Sequence, residues 1–266
     1  VSKHGLLVLA TLAALVPLYF MLSTSFKTEV GYAENPLTLP LTPTLENFSS
    51  LLGNPEFVTW IRNSLILTLC SVAIGLTVAS LAAYAFACMD FRGRQPLFIA
   101  FVALLGVPSV ALIIPLFRVM VRTHLINTLQ GAVLVYAGLM IPYTTYFLTG
   151  FFRRLPVSLF EAARLDGCGH WGIFRRIAVP LSRPGLITLG IVNTLWVWNE
   201  LLIAIVFLQR TDKRTLMAGL TLFQGEFASN IPAIMAGLTI AVLPMFVLYL
   251  SGLRFFLNGL TGGSEK

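Results

Sequence analysis

Six apolar runs, each long enough to cross a bilayer, divide this chain and leave little room for any other architecture. A hydrocarbon core about 30 Å thick is crossed by roughly 20 helical residues rising 1.5 Å each. The runs lie at about 5–26, 60–88, 96–117, 129–150, 184–208 and 232–257, each bounded by charge or proline. They predict an all-α membrane protein with six transmembrane helices in a single transmembrane domain, 1–266. Composition agrees, because 57% of residues are hydrophobic and 11% charged, whereas soluble domains carry about a quarter charged residues. Eighteen Lys+Arg and eleven Asp+Glu cannot coat a soluble globule of 266 residues.

The first run follows Lys3 and precedes the small residues Ser23 to Ser25, as in a signal peptide. Its apolar stretch exceeds a typical signal core and no small-x-small cleavage site follows, so a retained span is expected. The net charge of +7 is scattered through short loops and forms no basic patch, so nucleic acid is not an expected partner. Cys70, Cys88 and Cys168 form no CxxC pair and predict no disulfide; His4, His124 and His170 are too dispersed to suggest a metal site.

Lys and Arg concentrate in cytoplasmic loops. With the N-terminus inside, that side carries Lys3, Arg92, Arg94, Arg153, Arg154, Arg164, Arg175, Arg176, Arg183, Arg254 and Lys266, eleven of the eighteen. Six spans then leave both termini cytoplasmic in a multi-pass protein of the cytoplasmic membrane. One external segment, 27–59, contains Pro36, Pro40 and Pro43, which disfavour helix and favour an extended path. The other, 209–231, reads as a polar, wetted loop.

The longest internal loop, 151–183, reads as two short helices. Ser158 and Glu161 make the S-x-x-E pattern of a capping box, which predicts a helix over 159–166. Gly167 suits the left-handed position that ends it, and Gly169 adds a flexible point before a helix over 170–178. Pro180 and Pro184 are expected to stop regular structure. Phe160 and Ala163, then Trp171, Phe174 and Ile177, fall three apart and give each helix an apolar stripe. Such a stripe either packs on the chain's own spans or docks a partner, and the small Ala162 and Ala163 favour docking.

Glu161-Ala162-Ala163, three residues, Gly167, nine residues, then Ile177-x-Val179-Pro180 resembles the EAA motif of ABC importer permeases. Val179 stands where that family usually has Leu. The resemblance extends over nearly the whole chain and is to permeases of the carbohydrate-uptake, maltose-importer type, in particular the shorter six-span subunit. It is supported by Asn63-Ser64-Leu65, Leu81-Ala82-Ala83-Tyr84-Ala85, Phe91-x-Gly93-Arg94, Leu125-Ile126-Asn127-Thr128, Trp198-Asn199-Glu200 and Phe256-x-x-Gly259-Leu260. It implies that Glu161, Ala162, Ala163, Arg164, Asp166 and Gly167 form a coupling helix seated in an ATP-hydrolysing partner. The implied partners are a homologous second permease, two ATPase subunits, an extracytoplasmic substrate-binding protein and membrane lipid. No cofactor is implied in this chain, with MgATP held by the partner ATPase. Phe223, Gln224 and Glu226 in the second external loop would face the binding protein.

Ionisable residues within spans are costly and functional by default. Asn193, Trp196 and Glu200 recur at i, i+3 and i+7 in the fifth run and place an amide, an indole and a carboxyl on one helix face. With Asn199 they are the candidate sugar-lined path; the alternative is interhelical hydrogen bonding. Asn63, Thr68, Ser71, Thr77 and Ser80 in the second run read first as close helix packing. Pro108, Pro115, Pro142 and Pro244 are candidate kinks. There is no G-x-x-x-x-G-K-[ST] loop, H-E-x-x-H or G-x-S-x-G motif, so a catalytic chain is not expected. The competing functional reading is a secondary transporter coupled through Glu200.

Overall fold

A computed structural model describes residues 3–226 and 230–261; the side chains of residues 222–229 and 253–266 lie outside that description. Among the described residues all regular structure is helical. The chain forms two compact units, Val1–Asn63 with Thr211–Val247, and Ser64–Arg210 with Leu248–Lys266.

In the first unit, α1 (Lys3–Ser25) runs unbroken through Pro17 and buries only Ser23, Thr24 and Ser25. Its apolar side chains from Leu6 to Tyr19 stand exposed, as suits a helix solvated by lipid. The segment that follows is extended only where the prolines are. Two short helices flank that stretch, α2 (Glu29–Glu34), capped by the Thr28 hydroxyl accepting from Gly31 N, and α3 (Glu46–Gly53). Lys27, only 3% exposed, holds the proline stretch in place. Its Nζ donates to the carbonyls of Asn35 and Pro36 at 2.7 and 2.9 Å. Asn47 Nδ2 donates to the carbonyls of Ser25 and Lys27.

The remainder of this unit packs the first turns of α4 (Pro55–Cys88) with α13 (Leu216–Glu226) and the start of α14 (Ile231–Thr261). The expected polar loop over 209–231 is thus corrected to a helix of 11 residues. Leu216 and Leu220, four apart, are buried, and Gly219 lets the helix lie directly against the Trp60 indole, where any Cβ would overlap the ring. Asn63 Nδ2 donates to the carbonyls of Asp212 and Arg214, and Trp60 Nε1 to that of Thr211, so unpaired loop carbonyls find partners inside.

The second unit takes α4 onward from Ser64, then α5 (Arg94–Ala103), α6 (Ile113–Arg122), α7 (Leu129–Arg153), α8 (Val157–Leu165), α9 (His170–Ile173), α10 (Val179–Leu181), α11 (Arg183–Asn199) and α12 (Leu202–Phe207). One apolar cluster gathers around Tyr136 on α7, with Leu67, Met140, Val197, Ile203 and Phe207. A second gathers around Tyr84 on α4, with Leu148, Phe152, Phe160, Ile173 and Phe174.

Among the described residues, four continuous helices are long and apolar enough to cross a membrane: α1, α4, α7 and α14. The run expected over 96–117 is instead a pair, Arg94–Gly106 and Ser109–Arg122, meeting at 97°. Val107 is extended (φ −88°, ψ 115°) because it precedes Pro108, which has no N–H to continue the ladder. The run expected over 184–208 breaks at Glu200, also extended (φ −72°, ψ 128°). By contrast, α7 and α14 continue through Pro142 and Pro244. Pro115 lies in the first turn of α6, where a missing N–H costs nothing.

Candidate functional site

Helix α8 begins at Val157, two residues earlier than the capping pattern suggests. Pro156 (φ −60°, ψ 125°) occupies the N-cap position and no side chain caps the helix. An N-cap must sit just outside the first turn; Ser158 lies inside it, so the expected Ser158–Glu161 capping box does not form. The C-terminal end follows the sequence closely. Gly167 is left-handed at φ +77°. Cys168 N donates to Ala163 O at 2.9 Å and Gly167 N to Arg164 O at 3.0 Å, the paired bonds of a Schellman motif.

The apolar stripes divide between the two roles open to them. Phe160 and Ala163 on α8, and Ile173 and Phe174 beyond it, are buried against Tyr84, Leu148 and Phe152 of the chain's own long helices, with Ile177 packed beside them. Tyr84 meets Phe174 and Phe152 edge-on at 5.3 and 6.3 Å, and its hydroxyl lies 3.4 Å from His170 Nδ1. Trp171 stacks on Phe174 yet is 64% exposed, and Leu165 is 90% exposed. Glu161, Ala162, Arg164, Asp166 and Gly167 also face outward. Of the two alanines, therefore, only Ala162 is free to meet a partner.

Pro180 does not end the helical path as expected. Residues Phe174–Ala178 form a π-turn, with Val179 N donating to Phe174 O, and α10 carries on through Pro180 to Leu181. The wider turn sits immediately before the proline, where a regular α-turn would meet a ring clash and a lost donor.

The polar residues of the fifth run separate into two groups. Asn193 is buried and its Nδ2 donates to Thr144 Oγ1 on α7 at 2.9 Å. Together with Trp196, Tyr143, Leu139, Met140 and Val192 it lines a cavity of about 240 Å³. Asn199 and Glu200 do not line it. Asn199 bonds back to Leu195 O. Because α11 stops at Asn199, Glu200 leaves the face it was expected to share. Its carboxyl accepts the Tyr136 hydroxyl at 2.5 Å and the N–H groups of Ile203 and Ala204 at 3.0 and 3.3 Å. The side chain thus replaces the backbone acceptors missing at the break.

The family profile described as binding-protein-dependent transport system inner membrane component matches residues 71–257. That range contains α8 and its glycine, the π-turn and the Glu200 break. The chain belongs to this family. Among its relatives, a putative ABC transporter permease from a Caldicellulosiruptor species is 38% identical over 96% of this chain and 93% of that protein. The sulfoquinovosyl glycerol transport system permease of Agrobacterium fabrum is 34% identical over 95% of this chain and 89% of its own length. The diacetylchitobiose uptake permease of Streptomyces coelicolor is 33% identical over 94% and 91%. A solved bacterial ABC transporter involved in alginate import has the same fold, with a TM-score of 0.86 at 22% identity over 96% of this chain and 95% of that one.

Several residues of this permease gain their meaning only from the structure. Asn127, left-handed at φ 56°, accepts the N–H groups of Gln209 and Arg210 through Oδ1, while Thr128 caps α7. Both lie in the Leu125–Thr128 stretch that marked the resemblance, and Asn63 lies in another such stretch. Tyr136, Thr144 and Tyr84 had no local signal as partners of Glu200, Asn193 and His170. Phe223, Gln224 and Glu226 have side chains outside the described residues, although the α13 backbone reaches Glu226.

Proposed function

We propose that this permease carries a carbohydrate across the cytoplasmic membrane by alternating access, as a single six-crossing domain with both termini inside. It pairs with a second, homologous permease, two ATPase subunits that hold and hydrolyse MgATP, and an extracytoplasmic binding protein. One observation carries the reading: α8 is fixed to the body of the chain by Phe160 and Ala163 while Glu161, Ala162, Arg164, Leu165, Asp166 and Gly167 face away from it. A helix held along one side and bare along the other, in a loop rich in arginine, suits transmission of an ATPase movement to α4 and α7.

The carbohydrate class is supported by the relatives, whose names specify sulfoquinovosyl glycerol and diacetylchitobiose. The cavity beside Asn193 is lined by the aromatic side chains of Trp196 and Tyr143, and an apolar ring face with polar edges is what a sugar presents. Asn193 and Trp196 therefore stand as path residues, while Asn199 and Glu200 support the break that shapes this region. Phe223, Gln224 and Glu226 are proposed to meet the binding protein.

Copurification of the ATPase with the full chain tests the assignment. Leu165→Asp and Glu161→Lys, at exposed positions, are expected to release the ATPase and abolish uptake while leaving the melting temperature of the permease unchanged. Retained ATPase and normal uptake in both variants would sink it.

A further inference from the structure

At the end of α7 lies an open cavity of about 530 Å³, lined by Phe98 of α5, by Tyr146, Phe147, Phe151 and Arg153 of α7, and by Arg154 just after it. Its floor is aromatic. Phe98 and Tyr146 are stacked with ring centres 6.4 Å apart, and Phe147 meets Tyr146 edge-on at 5.2 Å. Its rim is basic, with the Arg153 guanidinium 5.0 Å over the Phe98 ring and Arg154 beside it. No acidic residue lines the cavity, and neither arginine forms an ion pair among the described residues. The coupling face of α8 makes no use of this cavity.

We propose that this cavity binds the headgroup of an anionic diacyl phospholipid such as phosphatidylglycerol. The arrangement matches that ligand from top to bottom. A guanidinium resting on an aromatic face keeps its in-plane N–H groups free for bidentate contact with phosphate. Beneath it, Tyr146 and Phe147 are exposed at the end of an apolar helix, where aromatic rings meet the glycerol and upper acyl region. Basic pockets between helices at a membrane face select acidic headgroups. Free phosphate would make no use of the aromatic floor, and a choline headgroup would bring its ammonium to two arginines that form no ion pair among the described residues. The inference rests on α7 ending at a membrane face and on nothing about the cargo.

Native mass spectrometry of the full chain, purified in detergent with its copurifying partners and titrated with phosphatidylglycerol or phosphatidylcholine, tests it. The wild type should retain phosphatidylglycerol in preference to phosphatidylcholine, and R153A/R154A should weaken that retention by about 30-fold, the effect of two interfacial arginines. R153K/R154K, which keeps charge and fold but loses the planar fork, should fall between them. Arg92→Ala, exposed and outside the cavity, should bind as wild type. Inorganic phosphate in excess should not displace the lipid. Equal retention by R153A/R154A and wild type, equal retention of the two lipids, or displacement by phosphate would each overturn the proposal. Loss of a second permease from the R153A/R154A complex with lipid retained would assign the cavity to a subunit seam and overturn it as well. Binding is read without transport, so a failure to import carbohydrate would leave this outcome untouched.

Discussion

Glu200 shows how one residue can be conspicuous in a sequence while its task stays hidden. A carboxyl in an apolar run demands an explanation, and both a lined path and a hydrogen bond to a neighbouring helix satisfy that demand. In the structure the carboxyl meets a neighbouring helix, where Tyr136, 64 positions away, supplies the hydroxyl. Nothing in an apolar stretch of α7 announces which neighbour a tyrosine will face. Removing that hydroxyl with Tyr136→Phe takes one of three donors from Glu200 Oε2 and should cost about 1–3 kcal/mol, the worth of a hydrogen bond to a carboxylate. Glu200→Ala should cost more, since the first N–H groups of α12 lose their acceptor too. Thermal unfolding of the purified chain should rank them wild type, Tyr136→Phe, Glu200→Ala; equal melting temperatures would remove Glu200 from its structural role. Gly167 is the opposite case, legible because left-handed backbone at a helix end strongly favours one residue type. Gly167→Ala should destabilise by about 1–2 kcal/mol, the cost of a Cβ at positive φ, with Gly167→Asn less affected.

Among the elements, α8 and the segment after it are helical, as their apolar spacing predicts, but α8 starts at Val157 and the later segment contains a π-turn over Phe174–Ala178. Apolar residues three apart marked both, but a spacing rule does not say whether a stripe turns inward or outward. Position relative to the long helices decides that, and it divides the residues one by one. Phe174 is enclosed by Tyr84 and its neighbours, whereas Trp171, three residues earlier, lies over it in the open. Phe174→Ala should therefore cost about 3–5 kcal/mol, as deletion of a buried aromatic does, and should loosen the whole segment from α4 and α7. Trp171→Ala should leave the melting temperature within about 1 °C of wild type, an exposed substitution having little effect on stability, yet weaken copurification of the ATPase. Comparable melting losses for both variants would mean that Trp171 belongs to the core and not to a docking face. The π-turn ahead of Pro180 had no signature in the sequence. It follows from a proline that must be admitted to a path whose flanks are already packed.

At the scale of the whole molecule the sequence was most informative, because a bilayer imposes one length on every crossing segment. Four runs became single helices, and the two that broke did so at residues with a chemical reason, Pro108 and Glu200. Hydropathy averages over such breaks, so it locates crossings better than it locates continuity. It also leaves direction to the basic residues, whose surplus in the loop after α7 is the ground for proposing that this loop is cytoplasmic. The assignment has a sharp consequence for surface chemistry. In a chain with Cys70, Cys88 and Cys168 replaced by alanine, Thr38→Cys in the exposed proline stretch and Ser158→Cys at the exposed start of α8 should differ in their access to a membrane-impermeant maleimide. Intact cells should label Thr38→Cys, and Ser158→Cys should react only after permeabilisation. The reverse pattern would invert the topology, moving the coupling face away from ATP and detaching the proposed engine from the permease. Labelling of both from outside would mean that an even number of crossings separates residues 38 and 158, and the 97° break at Pro108, which lies between them, would then be the first place to look for a segment that enters the membrane and returns.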